Sequence, residues 1–228
     1  MGSGAIAVVA DAHLGGPGGA LGPLLDQLQQ AADQGLDRLV LLGDIFQAWV
    51  GLPAFETDAT RQFCAALAQL REQGVWIAYI EGNRDFFLSH ERYAEAFDVL
   101  ATEVALEVGD RRILFVHGDG LNERDLQYRT WRRLSKSAPV RSLLRLLPGR
   151  WARAFVERTE KRLAGTNFKH KRRLPEAAIL GYGERRLAEG HDLLVLGHFH
   201  EPRSWQLERG EVRVLDAWFR SRRLEWVS

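Results

Sequence analysis

The chain has 228 residues, 46% of them hydrophobic, and a net charge of +1, a balance that fills one large globular domain and excludes a disordered chain. No apolar run reaches the roughly 20 residues that span a bilayer. The single cysteine, Cys64, excludes disulfides and cysteine-based metal sites and is expected as core filler on a helix.

The first apolar run, Ile6 to Ala10, predicts a strand entered without a charged leader or cleavage site, which places the expected location in the cytoplasm. Apolar residues at helical spacing follow over Leu21 to Gln34, closing at Gly35, and strand signals return at Arg38 to Leu42. A second helix over Ala59 to Gln73 closes at Gly74 and leads into a strand at Val75 to Ile80. Next comes "EVALEVGDRRILFV", which reads as a hairpin of strands Glu103 to Val108 and Arg112 to Val116 turned by Gly109-Asp110. Leu193 to Leu196 supplies a further strand. The order β-α-β-α-β followed by hairpins predicts an α/β layered fold with mixed sheets.

Residues 129 to 173 break this pattern. They hold 15 Lys/Arg against Glu157 and Glu160, a surplus of +13 that leaves −12 on the rest of the chain. Helical segments punctuated by Pro139 and Pro148-Gly149, with no strand signal, predict a helical insertion. Within it, "RSLLRLLPGRWARAF" interleaves Arg141, Arg145, Arg150 and Arg153 with leucines, Trp151 and Phe155. A basic helix with an apolar side settles at an anionic membrane surface; a solvated helix and a nucleic-acid surface are the other readings.

Five strands run into loops rich in metal-ligand side chains: "ADAH" at 10 to 13, "GD" at 43 to 44, "GNRD" at 82 to 85, "HGD" at 117 to 119 and "GHFH" at 197 to 200. Four of the seven histidines fall there. Nitrogen and oxygen donors without thiolate suit Mn²⁺, Fe²⁺ or Zn²⁺. Seven candidate ligands exceed one ion's need, whereas two ions sharing a carboxylate use them all, and such pairs serve in-line displacement at phosphorus.

The set D-x-H, GD, GN-x-D, HGD and GH-x-H, in this order, resembles the calcineurin-like metallophosphoesterase superfamily. The longer stretches "ADAHLGG", "LGDIFQAWVG", "EGNRDFF", "VHGDGLNERDLQY" and "LGHFHEP" resemble its UDP-2,3-diacylglucosamine hydrolase family, of lipid A biosynthesis. The resemblance implies a four-layer α-β-β-α sandwich with two mixed sheets, residues 1 to 228 forming one domain with a helical cap inserted at about 123 to 173. It implies one metal held by Asp11, His13, Asp44 and His200 and a second by Asp44, Asn83, His117 and His198, with Mn²⁺ as the expected ion at both. Asp85 and Asp119 are expected to orient ligands or Arg84, and Asn83, Arg84 and Asp85 are the catalytic candidates.

Many superfamily members carry histidine at the position of Arg84, where it protonates a leaving group. Arginine stays charged at neutral pH, so it neutralises oxyanions but does not readily surrender a proton. A substrate whose leaving group is already a phosphate meets that condition, and the alternative role for Arg84 is an ion pair with Asp85. The resemblance implies a lipid-linked UDP-sugar as substrate, cleaved at its diphosphate, with Asn83, Arg84, Asp125, Tyr128 and His198 as substrate contacts; Asn167, Lys169 and Lys171, nearby in the basic insertion, are candidates to meet the sugar or phosphates without matching a family motif. Trp49 matches too, as a contact or as packing beside the site. The basic insertion is then expected on the anionic cytoplasmic face of the inner membrane, with no nucleic-acid or protein partner expected. The rival readings are a dimetal hydrolase of another nucleotide diphosphate or phosphodiester, and a non-catalytic binding scaffold.

Overall fold

The computed structural model describes residues 6–16, 18–121, 126–146 and 174–228, together with Gly149, Trp151, Ala154 and Arg158; of these, the side chains of His90, residues 126–129 and Trp131 lie outside the description. The first half alternates β1 (Ile6–Val9), α1 (Leu21–Asp33), β2 (Arg38–Leu41), β3 (Trp49–Val50), α2 (Asp58–Glu72), β4 (Trp76–Ile80), β5 (Asp85–Phe86), α3 (His90–Tyr93) and β6 (Val99–Ala101). The hairpin β7 (Glu103–Val108) and β8 (Arg111–Val116) precedes α4 (Leu126–Ser135) and α5 (Ala138–Leu146). The chain finishes with α6 (Glu176–Ala188), β9 (Leu193–Leu196), β10 (Arg203–Leu207), β11 (Gly210–Val214), α7 (Trp218–Ser221) and β12 (Glu225–Val227).

Two five-stranded mixed sheets result. One has the order β12-β1-β2-β4-β6, parallel except for β12, and the other the order β10-β11-β9-β8-β7, with antiparallel strands at both edges. Strand alternation explains why they stack. Ile6, Val8, Val40, Leu42 and Ile80 meet Ile113, Phe115, Leu193 and Val195 in a core between the sheets. The opposite faces also carry apolar residues: Ala7, Val9, Leu39, Leu41, Ile77 and Tyr79 pack under α1 and α2. Leu114, Leu194, Leu196 and Val212 pack under α6 through Ile179 and Leu187. Strands buried on both faces read as continuous hydrophobic runs, and the α-β-β-α sandwich follows from them.

The helices obey local rules. Thr57 and Thr60 form a reciprocal capping box at the start of α2, with Asp58 in its first turn and Arg71 in its last, while Phe63, Leu67 and Leu70 fall on one face. Burial of the partly buried Cys64 on this helix pushes its thiol up to about 12, above the ordinary range of a free thiol. On α6 the glycines blur the helical pattern, but Gly183 has a use: a Cβ there would lie 2.4 Å from Val212 Cγ2, so glycine lets helix and sheet approach.

Helix α5 buries Leu144 against Val50 and Leu52, with Val140, Phe86 and Phe87 packed alongside. It therefore rests on the β3-β5 ribbon, whose strands pair in parallel at Trp49–Asp85 and Val50–Phe86.

Candidate metal centre

The five ligand-bearing loops follow β1, β2, β4, β8 and β9, and backbone hydrogen bonds lock them to one another. Asp11 N–H donates to Gly43 O at 3.2 Å, His13 N–H to Asp44 O at 3.1 Å, Trp49 N–H to Arg84 O at 2.9 Å and Gly197 N–H to His117 O at 3.1 Å. Among the described residues seven non-glycines have positive φ, and Asp11 (51°), His13 (45°), Asp44 (53°), His198 (68°) and His200 (57°) are five of them. Left-handed backbone is uncommon outside glycine and collects where surrounding structure holds a functional site.

These turns gather two donor groups, Asp11–His13–His200 and Asp44–His117–His198, in each of which the ligand atoms lie within 4.8 Å of one another. In the first, His200 Nε2 is 2.9 Å from Asp11 Oδ1 and 3.3 Å from His13 Nε2. In the second, His117 Nε2 is 3.7 Å from Asp44 Oδ1 and 3.4 Å from Asn83 Oδ1. His198 N–H donates to Asp11 Oδ2 at 2.7 Å, and its ring packs edge-on to His117, so the "GHFH" loop ties the groups together.

His117 Nδ1 lies 2.8 Å from Leu42 O. A carbonyl only accepts, so Nδ1 carries the proton and the neutral ring offers the Nε2 lone pair to the cluster. Glycines leave the room this needs: a Cβ on Gly82 would stand 2.3 Å from Asp44 Oδ1 and 2.9 Å from His117 Nε2.

Buried carboxylates and imidazoles act strongly on one another in this centre. Burial raises the Asp44 carboxyl, with His117 opposing and Asp85 and Asp11 reinforcing, so that it is pushed up to about 7. Burial opposes charge on His117, but Asp44, Asp11 and Asp119 outweigh it and hold the imidazole up to about 9. Burial also acts to raise Asp11, yet the His200 hydrogen bond and the surrounding imidazoles carry it well below the usual carboxylate range. Nitrogen and oxygen donors without thiolate, packed at such distances, fit divalent cations, and two groups make the centre dinuclear.

Asp85 is fully buried, and its oxygens accept from Tyr79 OH (2.8 Å), Gly82 N–H (2.7 Å) and Asp44 N–H (3.1 Å). It fastens the "GNRD" loop to the "GD" loop. The ion pair of Arg84 is with Asp44 rather than with Asp85: Nε lies 3.5 Å from Asp44 Oδ2, Nη1 donates to Gln47 O at 3.0 Å, and the Arg84 backbone N–H donates to Asp44 Oδ1 at 2.8 Å. Asp119 pairs with Arg132 of α4 at 2.7 Å. Trp49 is packing: it is 2% exposed, ringed by Phe46, Phe63, Tyr79, Tyr93 and Phe97, with its indole N–H on Tyr93 OH.

A model of the calcineurin-like phosphoesterases matches residues 4–202. The chain belongs to the calcineurin-like phosphoesterase family. Membership of this metallophosphoesterase family and the two donor groups make it a metal-dependent hydrolase. Among its phosphoesterase relatives, UDP-2,3-diacylglucosamine hydrolase of Ralstonia nicotianae is 29% identical over 228 residues, covering 95% of this chain and 84% of the relative. The enzyme of the same name from Yersinia pestis is 30% identical over 188 residues, covering 80% and 78%. A hypothetical protein of Pyrococcus horikoshii OT3 shares 12% identity, with a TM-score of 0.49 over 98% of this chain and 87% of that one.

Asp125, Asn167, Lys169 and Lys171 lie outside the described residues, as does the side chain of Tyr128. Three neighbours of the centre carry no motif. Lys136, just past the end of α4, donates to Gly82 O at 2.9 Å, Phe219 of α7 packs against His13 and His200, and Tyr79 holds Asp85. Lys136 is one basic residue among many, and nothing in the sequence links Phe219 to loops some 20 and 200 residues away.

Proposed function

We propose that the chain hydrolyses the diphosphate bond of UDP-2,3-diacylglucosamine by attack on the α phosphorus, giving UMP and 2,3-diacylglucosamine 1-phosphate in lipid A biosynthesis. The observation that carries this reading is Arg84 against Asp44, a permanent cation at the donor groups where a proton donor would serve an alkoxide leaving group. The names of the curated relatives support the same substrate.

Asp11, His13, Asp44 and His200 would hold one divalent ion and Asp44, Asn83, His117 and His198 the other, with Asp44 shared and Mn²⁺ the expected metal. Bound there, such ions supply Lewis acidity and lower the pKa of water. Arg84 neutralises charge that develops between the two phosphoryl groups, while Asn83 and His198 help position the diphosphate. Asp85 acts through the loops that it holds. The leaving phosphate departs as an anion, so no acid is required.

Residues from about 123 to 173 form the cap in this reading, with Asp125, Tyr128, Asn167, Lys169 and Lys171 as substrate contacts. Among the described residues no helix is long and apolar enough to cross a membrane. Leu143 and Leu146 on α5 are 54% and 83% exposed beside Arg141 and Arg145, which supports a peripheral site on the anionic cytoplasmic face of the inner membrane.

The test is mass spectrometry of products from UDP-2,3-diacylglucosamine hydrolysed in ¹⁸O-labelled water. Label in UMP is expected. Label in the lipid phosphate would overturn the site of attack, and equal turnover of UDP-glucose or ADP-ribose would overturn the lipid assignment.

A further inference from the structure

The two donor groups differ in what supports them. Around Asp11–His13–His200 the C-terminal turn closes like a clasp. Trp218 N–H donates to Ala10 O at 2.9 Å, Phe219 N–H to Asp11 O at 3.4 Å, and Arg220 Nη1 to His200 O at 2.6 Å. The Phe219 ring stands 5.4 Å from the His13 ring and 5.3 Å from that of His200, and the two imidazoles are themselves edge-on at 5.2 Å. Three rings thus wedge one another, and two of them offer ligand nitrogens.

The clasp is anchored away from the site. Trp218 is 1% exposed, its indole N–H donates to Gln27 Oε1 at 3.0 Å, and Gln27 Nε2 donates to Arg222 O at 2.6 Å. The Arg222 guanidinium lies over the Trp218 ring at 4.7 Å and reaches Gly18 O, while β12 pairs antiparallel with β1. The supports described for Asp44 and His117 lie elsewhere: Asp44 N–H donates to Asp85 Oδ2, His117 Nδ1 lies on Leu42 O, and His117 Nε2 faces Asn83 Oδ1.

We propose that Phe219, seated by the C-terminal turn, is a positioning residue for one metal of the pair: it fixes the His13 and His200 rings and so sets the affinity of the Asp11–His13–His200 group without setting that of its neighbour. This rests on the dinuclear reading. An apolar wedge suits the task because it orients imidazoles without competing for their lone pairs or for the cation.

The test is Mn²⁺ titration of the full chain by calorimetry, with bound Mn²⁺ followed by electron paramagnetic resonance. Wild type is expected to bind two ions and to show the exchange-coupled spectrum of a close pair. Phe219→Ala should keep one ion at wild-type affinity, bind the other about tenfold or more weakly, and lose the coupled signal at sub-saturating metal. Phe219→Leu, which keeps apolar bulk, should restore most of the lost affinity. In a His117→Ala background, Phe219→Ala should still weaken the remaining ion. Phe63→Leu, a core substitution remote from the turn, controls for general loss of stability and should keep both affinities. Two wild-type affinities in Phe219→Ala, or an equal fall at both sites, would overturn the proposal. Fewer than two ions in wild type would overturn the dinuclear reading and the proposal with it.

Discussion

Arg84 grips Asp44 twice, through its backbone N–H on Oδ1 at 2.8 Å and through Nε at 3.5 Å from Oδ2. The backbone contact survives any substitution at this position other than proline, so the side chain can be removed while the carboxylate stays oriented. Arg84→Ala should therefore lower kcat by about 100-fold, the scale of losing one group that stabilises transition-state charge, with metal stoichiometry unchanged. Arg84→Lys should recover part of that, since it keeps the charge without the planar fork. Steady-state kinetics alongside metal analysis checks both, and an unchanged kcat for Arg84→Ala would refute the role.

Asp85 accepts from three donors in a fully buried position. Asp85→Asn puts an amide N–H₂ against at least one of them. An unsatisfied buried donor costs about 1–3 kcal/mol, so urea denaturation should show a loss of that size or more. Tyr79→Phe removes one donor and leaves the two N–H bonds, and should cost about 1 kcal/mol. Because both substitutions act on one carboxylate, the double variant should fall short of their sum.

Metal uptake should depend steeply on pH. In the metal-free protein His117 is held up to about 9 and Asp44 up to about 7, so each is protonated below its own value and a cation must displace those protons. From pH 9 down to 7 one proton is displaced, and Mn²⁺ affinity should fall by about tenfold per unit. Below pH 7 the second proton joins and the slope should steepen. Titration calorimetry in buffers of different ionisation enthalpy counts the protons directly, and a flat profile from pH 9 to 6 would contradict the assignment.

Gly82→Ala should abolish binding at the Asp44–His117–His198 group while the sandwich survives, because the new Cβ would overlap Asp44 Oδ1 and crowd His117 Nε2. Circular dichroism should be unchanged and Mn²⁺ stoichiometry reduced.

If α5 meets a membrane, Leu143→Ser with Leu146→Ser should weaken co-sedimentation with vesicles rich in anionic lipid and leave hydrolysis of a small phosphodiester intact. Both side chains are largely exposed, whereas the neighbouring Leu144 is buried against Val50 and Leu52 and should not tolerate the change.

The sandwich was legible because its central strands are buried on both faces: Arg38–Leu41 and Leu193–Leu196 appear within a residue of their expected bounds. The edge strand β7 was legible through its Gly109-Asp110 turn into β8, but the ribbon strands and the edge strand β10 were not. β3 and β5 are two residues each, and β10 mixes Arg203, Ser204 and Gln206 with Trp205, so neither length nor alternation marks them. The donor loops were legible because histidine and carboxylate cluster at strand ends. Phe219 was not, because ring packing across roughly 200 residues of chain leaves no local pattern. The partner of Arg84 was likewise a question of direction: adjacency in sequence favoured Asp85, but the ribbon sends the two side chains to opposite tasks.

Left-handed backbone at Asp11, His13, Asp44, His198 and His200 bears on whether the motifs can be moved. Each such conformer costs an L-residue about 1–2 kcal/mol, and no isolated loop would hold five of them at once. The cost is met by two stacked sheets and the hydrogen bonds between neighbouring turns. A peptide copied from "ADAH" or "GHFH", or the same letters grafted onto another scaffold, should bind metal only as a floppy chelator. The letters name the donors, but their geometry belongs to the sandwich.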